Sequence, residues 1–158
     1  EAARRASAAD PRLRFLSVGQ GPLQAELEAL HAASGLGDRF TFLGFRRDIH
    51  ALMAASDIFT LASAHEGLPV AVMEAFAVGL PVVATAVGGV PQQVRDRVEG
   101  RVVPPADPAA LADALVSLAQ DPRRRLSMAE AARRRSADYD IRRAVREQER
   151  VYGELAET

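Results

Sequence analysis

The sequence predicts an α/β domain with three layers, in which a parallel sheet lies between two layers of helices. The first observation is that short runs rich in β-branched and aromatic residues alternate with helical segments up to residue 103. Such alternation is typical of parallel strands joined by helical crossovers. The second observation is that the strand pattern stops at Pro104. Residues 104–158 therefore predict a helical C-terminal segment within a single domain, 1–158.

The first elements follow from hydrophobic runs and the glycine turns between them. Residues 1–9 are rich in alanine and arginine and read as the end of a helix, so we expect that a part of the protein precedes this sequence. Residues 13–18 predict a strand, which a glycine turn joins to a helix over 22–33 with three leucines on one face. His31 on this helix is expected to face solvent. Residues 39–43 predict the second strand.

The middle of the chain holds its longest apolar run. Asp48 is a suitable N-cap for a short helix over 49–55, and residues 58–62 predict the third strand. Pro69 suits the first turn of the next helix, because proline fits where the backbone N–H has no helical partner. Residues 81–84 predict the fourth strand.

The last elements are a short helix over 91–96 and a fifth strand over 100–103. Asp107, directly ahead of Pro108, is an N-cap for the helical segment that follows. Its helices are predicted over 108–120, 122–136 and 140–155.

The composition excludes several classes of protein. The absence of cysteine excludes thiol catalysis, thiolate metal sites and disulfides. The 20 basic residues, all arginine, are balanced by 21 acidic residues, so the net charge of -1 gives no bulk attraction to nucleic acid. No signal peptide is found, and prolines, glycines and Glu74 interrupt the apolar run 67–91, which argues against a membrane span. We therefore expect a cytoplasmic protein.

Two carboxylates mark the candidate site. Glu74 is the only charged residue between Gly67 and Pro91, and a buried carboxylate needs a partner, a proton or a polar ligand. Glu66 stands just ahead of the helix that begins near Pro69, whose positive N-terminal end attracts phosphate. Glu74 could instead be paired with Arg46 or Arg95, and Glu66 could be a solvated loop residue.

Glycine-containing loops follow four of the predicted strands. Ligands of open parallel sheets bind outside the carboxyl ends of the strands. We therefore expect a ligand at these loops, which cover residues 19–22, 44–47, 63–69 and 85–90.

A long string of residues around Glu66 and Glu74 carries a family resemblance. The string reads Ser63-x-x-Glu66-Gly67-Leu68-Pro69, then Glu74-Ala75, Ala77-x-Gly79-x-Pro81-Val82-Val83-Ala84-Thr85 and Gly88-Gly89. It closely resembles the C-terminal half of family-4 retaining glycosyltransferases of the GT-B fold, with the two glutamates at the ends of the family's Glu-x7-Glu motif. Secondary landmarks occur in the same order, namely Val18-Gly19-x-Gly21-Pro22, Phe42-Leu43-Gly44, Gly100-x-Val102-Val103-Pro104 and Asp107-Pro108.

The resemblance implies a Rossmann-like domain that binds a nucleotide-sugar donor. It implies that Glu66, the catalytic candidate, holds hydroxyls of the donor sugar and that Glu74 accepts hydrogen bonds from the ribose. The backbone amides of Gly67 and Leu68 are then expected near the sugar and diphosphate. The other donor-binding candidates are Gly19 and Gly21 under the nucleotide, Gly44, Phe45 and Arg46 near the base, and Ser63 and His65. For Ser63 a loop cap, for His65 a surface position and for Arg46 a solvated one stay open as alternatives. No metal and no further cofactor is expected.

The chain departs from the family pattern in two ways. The family opens this domain with a strand followed by an Arg and a Lys that bind the diphosphate, and this sequence begins after that point and contains no Lys. Gln92 stands where the family often has a Glu. We therefore expect a missing N-terminal GT-B domain as partner and no transferase turnover by the isolated chain. Exposed sheet edges are expected to cause either self-association or marginal solubility, and peripheral contact of the whole enzyme with a membrane stays open.

Two other functions are weighed against a transferase. One is a non-catalytic module, a truncated or degenerate domain that binds a nucleotide sugar or only a partner protein. The missing first strand keeps this alternative open. The other is half of a nucleotide-sugar epimerase on the same fold. Epimerases of that class lack the string from Glu66 to Gly89, so this alternative ranks below the first.

Overall fold

The computed structural model describes residues 1–156 and consists of short strands alternating with helices. The strands are β1 (Phe15–Val18), β2 (Phe40–Gly44), β3 (Phe59–Leu61), β4 (Val82–Thr85) and β5 (Gly100–Val103). The helices are α1 (Ala2–Ala9), α2 (Gln24–Ala33), α3 (Ile49–Ala54), α4 (Val70–Val78), α5 (Val90–Gln93), α6 (Pro108–Gln120), α7 (Pro122–Ser136) and α8 (Ile141–Ala156). Single 3-10 turns lie at Gly37–Arg39 and Ala137–Tyr139. The predicted α/β class is confirmed.

The strands form two parallel sheets rather than one. β1 pairs with β2, and β4 lies between β3 and β5. The register sets Phe15 opposite Phe40 in the first sheet and Val82 opposite Gly100 in the second. Within residues 1–156, β1 and β3 each have a strand partner on one side only.

Strand β4 is buried on both faces and divides the core into two clusters. On one face, Val83 packs with Leu115 of α6 and Ala6 of α1. On the other face, Val82 and Ala84 pack with residues of α4 that include Val72 and Phe76. Helices therefore cover both sides of the strands, which gives the three predicted layers.

Helix α2 lies at the edge of this core and buries none of its residues. The three leucines at its start and on its face, Leu23, Leu27 and Leu30, are all exposed. The expectation that His31 faces solvent is wrong, because its ring packs between Phe40 and Phe42 of β2 with centroid distances of 5.6 and 5.8 Å. None of the helices within residues 1–156 has the length and apolar character that crossing a membrane requires.

Candidate functional site

The N-terminus of helix α4 carries backbone donors that the protein leaves unused. Pro69 is the N-cap, with φ −65° and ψ 118°, and it has no side chain that could cap the helix. In the described part of the chain, the N–H groups of Leu68, Val70 and Ala71 have no acceptor. Free N–H groups at a helix N-terminus, together with the helix dipole, favour an anionic ligand.

Glu66 lies directly ahead of this helix end and is half-buried. The hydroxyl of Ser63 donates to Glu66 Oε1 at 2.7 Å, which fixes the orientation of the carboxylate. A carboxylate has room for further donors beyond this one bond. Ser63 therefore orients Glu66, and Glu66 keeps acceptor capacity for a ligand.

Glu74 is half-buried in the second turn of α4 and has no hydrogen bond or ion pair within residues 1–156. Glu74 lies four residues after Val70 and therefore on the same face of the helix, and Val70 is 63% exposed. Helical side chains lean toward the N-terminus of their helix, so the carboxylate leans toward the free N–H groups.

The alternative pairing of Glu74 with Arg46 or Arg95 is wrong. Arg95 donates through its backbone N and its Nε to Glu99, at 2.9 Å each. Arg46 donates through Nε and Nη2 to Asp48, at 2.9 and 2.7 Å. Glu74 thus remains an acceptor without a protein donor.

The segment from Thr85 to Gln93, which we call the anchor segment, donates hydrogen bonds to backbone carbonyls of loop 63–69. The Thr85 hydroxyl donates to the Ser63 carbonyl at 2.6 Å, and the Gly89 N–H donates to the Gly67 carbonyl at 2.6 Å. The buried Gln93 amide donates to the Pro69 carbonyl at 3.2 Å.

The loops after β1 and β2 form a second group of candidate residues. The Gly19 N–H donates to the Gly44 carbonyl at 2.8 Å, and both glycines have positive φ, +131° and +62°, which side-chain-bearing residues rarely adopt. Gly21 and Phe45 are exposed. The hydrogen bonds from Arg46 lower the pKa of Asp48 and raise that of Arg46, so the charge of Arg46 is already matched by a neighbour.

The structure therefore brings the sequence-predicted residues together in two groups. One joins Ser63, Glu66 and Gly67 to the start of α4, and the other joins Gly19 to Gly44. No hydrogen bond links the groups within residues 1–156. His65 is exposed and has no recorded partner in that range. Sequence reasoning singled out loop 85–90 but missed the contacts of its residues with loop 63–69, because no local pattern reveals which carbonyl a side chain reaches.

Comparison with known proteins decides the family. The family model described as "Glycosyl transferases group 1" matches residues 1–121, which is more than half of the chain. This chain belongs to the group 1 glycosyltransferases.

Two curated relatives, both from bacteria, show the extent of the match. The alpha-D-kanosaminyltransferase of Streptomyces kanamyceticus is 34% identical over 145 residues, which are 90% of this chain and 38% of that protein. The D-inositol 3-phosphate glycosyltransferase of Salinispora tropica is 40% identical over 127 residues, which are 79% of this chain and 26% of that protein. The chain thus spans well under half the length of these relatives. Their names favour a transferase over an epimerase.

Solved structures show where the chain belongs in the group 1 fold. The HepE protein of Anabaena, crystallised with UDP, matches 99% of this chain and 44% of that chain with a TM-score of 0.85 and 28% identity. The C-terminal domain of LpcC from Francisella tularensis matches 87% of this chain and 74% of that domain with a TM-score of 0.78 and 28% identity. The fold is that of the C-terminal domain of GT-B glycosyltransferases.

Proposed function

We propose that this chain is the donor-binding domain of a glycosyltransferase that transfers a sugar, with retention, from a nucleoside-diphosphate sugar. The observation that carries the proposal is Glu74, a half-buried carboxylate without a protein donor beside a helix end whose N–H groups have no acceptor. A ligand that presents a pair of hydroxyls and a diphosphate supplies both missing partners.

Each residue of the site then has a role set by its chemistry. Glu74 accepts hydrogen bonds from the two ribose hydroxyls. Glu66, oriented by Ser63, accepts from hydroxyls of the donor sugar and so holds its anomeric carbon in place. The N–H groups of Gly67 and Leu68 donate to the diphosphate and stabilise the negative charge that grows as it departs. The roles of Gly19, Gly44 and Phe45 at the nucleotide rest on the family resemblance.

The proposed reaction needs no metal from this chain, because backbone donors and the helix dipole meet the anionic leaving group. It does need groups outside the chain. The only cation among the donor-site candidates, Arg46, is already bonded to Asp48. We propose that an acceptor-binding domain and further cations complete the site, and that the isolated chain binds a donor without turning it over.

Isothermal titration of the purified chain with UDP, GDP and ADP tests this proposal. We expect one of the three to bind, and Glu74→Gln to weaken its binding about tenfold or more, because a hydrogen bond to a charged group is worth ~1.5–3 kcal/mol. Glu130→Gln is the matched control, since Glu130 is an exposed glutamate of α7. Equal affinity of Glu74→Gln and the unaltered chain would refute the ribose assignment.

An assay for release of nucleoside diphosphate from nucleotide sugars, run on the same samples, separates the donor-binding half of a transferase from a complete enzyme. The chain alone is expected to release no nucleoside diphosphate from UDP-, GDP- or ADP-glucose, with or without added alcohol acceptors. Turnover by the isolated chain would contradict the proposal that acceptor and cations come from outside. Failure of all three nucleotides to bind would favour a module that binds only a partner protein.

A further inference from the structure

The carbonyl groups of loop 63–69 turn toward the anchor segment, residues 85–93. The Gly67 carbonyl accepts the Gly89 N–H at 2.6 Å. The Glu66 carbonyl lies so close to Gly88 that a Cβ built there would be 1.8 Å from the carbonyl oxygen. Position 88 therefore accepts only a hydrogen atom on this side, and two consecutive peptide units have their oxygens directed at the anchor segment.

The direction of these carbonyls fixes the direction of the neighbouring N–H groups. A trans peptide places its C=O and its N–H on opposite sides, and the described residues contain no cis peptide. The N–H groups of Gly67 and Leu68 therefore point away from the anchor segment. Neither has an acceptor within residues 1–156, so both are presented to the outer side of the loop.

The same anchor segment reaches Glu66 through Ser63. The Thr85 hydroxyl, on a residue only 5% exposed, donates to the Ser63 carbonyl at 2.6 Å. The Ser63 hydroxyl in turn donates to the Glu66 carboxylate at 2.7 Å. Thr85 thus holds the backbone from which Ser63 orients Glu66.

We propose that Thr85, Gly88, Gly89 and Gln93 are positioning residues of the donor site. They hold the carbonyls of loop 63–69 from behind, so that the Gly67 and Leu68 N–H groups and the Glu66 carboxylate face the ligand in a fixed arrangement. The role in binding rests on the proposed function, since the ligand that meets these donors is the donor diphosphate. The orientation of the loop itself does not depend on that function.

Matched substitutions separate this role from general effects on folding. Gly88→Ala drives a methyl group into the Glu66 carbonyl, whereas Gly37→Ala is made at the same φ of +51° with nothing within 4 Å. Thr85→Val removes the hydroxyl that holds Ser63. Thr60→Val removes a similar hydroxyl, which donates to the Val83 carbonyl at 3.0 Å away from the loop. Thr85→Ser restores the hydroxyl and serves as the rescue.

The first readout is the affinity of the purified chain for UDP, together with the other two nucleotides, by titration calorimetry. We expect Thr85→Val to weaken binding about fivefold, the worth of one hydrogen bond, and Gly88→Ala to weaken it more. Thr85→Ser, Thr60→Val and Gly37→Ala are expected to bind within about twofold of the unaltered chain. A purely structural role would lower the melting temperature of Thr85→Val and leave the affinity of the folded protein unchanged, which would overturn the proposal.

The second readout needs no ligand and keeps the two proposals distinguishable. Backbone ¹⁵N order parameters of Gly67 and Leu68 are expected near ~0.85 in the unaltered chain and in both controls, and well below that value in Thr85→Val and Gly88→Ala. If no nucleotide binds but the order parameters fall as expected, the proposed function fails and the positioning role stands. If Gly67 and Leu68 remain equally rigid in Thr85→Val, the positioning role is overturned, whatever binds. Should Gly88→Ala not fold, Thr85→Val and Thr85→Ser still decide.

Discussion

Glu74 and Glu99 are both removed from water to some extent, but they differ in the hydrogen-bond donors that surround them. Glu99 is 0% exposed, and the backbone N and the guanidinium of Arg95 donate to it. Those bonds offset the cost of removing its charge from water, which is several kcal/mol for an unpaired ion. Glu74 has no such donors within residues 1–156, although its surroundings are partly apolar. Glu99 is therefore a structural carboxylate, whereas Glu74 keeps its acceptor capacity, which we propose a ligand uses.

The residue scale also carries a prediction about acid stability. Asp10 is 4% exposed at the end of α1 and accepts hydrogen bonds from the Arg12 guanidinium and backbone N–H. These bonds lower the pKa of Asp10 from 3.8 to about 2. Because the folded pKa is below the unfolded one, the bonds contribute their full stability above pH 3.8 and lose it as the pH falls toward 2.

Urea denaturation of the unaltered chain and of Asp10→Asn between pH 6 and pH 2 checks this expectation. The stability difference between the two proteins should shrink as the pH falls through this window. Glu130→Gln, which changes an exposed carboxylate, should run parallel to the unaltered chain. A difference between Asp10→Asn and the unaltered chain that stays constant down to pH 2 would show that Asp10 does not act through its charge.

Single residues also show which parts of the site the sequence could predict. The sequence alone identified the two glutamates, Ser63 and the glycines, because their spacing matches the family motif. That neither Arg46 nor Arg95 pairs with Glu74 could have been predicted from the sequence, because each arginine has an acidic residue within four positions. Those residues are Asp48, which Arg46 reaches two positions along the chain, and Glu99, which Arg95 reaches four positions along.

At the scale of elements, the helix ends that a local cap fixes are predictable. The bounds of α6 and α7 match the prediction because each begins with an Asp-Pro pair. Asp107 accepts the Ala110 N–H at 2.9 Å and Asp121 accepts the Arg124 N–H at 3.0 Å, so the caps are local. Strands end where pairing ends. β1 starts at Phe15, two residues after the hydrophobic run begins, since its pairing with β2 starts at Phe40.

The contact between β4 and β5 gives a prediction at this scale. A Cβ at Gly100 would lie 1.8 Å from the Val82 carbonyl oxygen, which belongs to the backbone of the neighbouring strand. Because β4 is buried on both faces and cannot move aside, we expect Gly100→Ala to lower the free energy of unfolding by at least about 2 kcal/mol. Gly153→Ala in helix α8 meets nothing within 4 Å and should raise it by up to about 1 kcal/mol.

Chemical denaturation of the two variants side by side measures both changes with the same substitution. Opposite signs are expected. A Gly100→Ala protein as stable as the unaltered chain would mean that β5 does not approach β4 as closely as described.

At the scale of the whole molecule, the division of the strands into two sheets accompanies an exposed apolar surface on the protein. Leu16 and Val18 project from β1 into solvent, as does the leucine face of α2. The sequence predicted that a strand of the family pattern is lacking, and it also predicted the leucine face of α2. It could not predict that this face is exposed, because burial depends on elements outside the helix. The cytoplasmic location, the partner domain and contact with a membrane stay predictions.

Self-association is the expected consequence of this surface. Strands with an unpaired edge bind other strands, and exposed leucines add apolar contact. Sedimentation velocity from about 1 to 100 µM is expected to show a rising sedimentation coefficient, because association is concentration-dependent. Leu16→Arg combined with Val18→Arg should suppress the rise, while Ser127→Arg, a substitution at an exposed site on α7, should leave it unchanged. A strictly monomeric chain over this range would contradict the prediction.

The close approach of Gly88 to the Glu66 carbonyl has a practical consequence for directed evolution of the proposed donor site. In a mutagenesis library that included position 88, most clones would carry a distorted loop 63–69, because every residue other than glycine places its Cβ 1.8 Å from the Glu66 carbonyl oxygen. His65 and Leu68 face solvent on the same loop. Substitutions at positions 65 and 68 are therefore compatible with the fold, and position 88 should be kept as glycine.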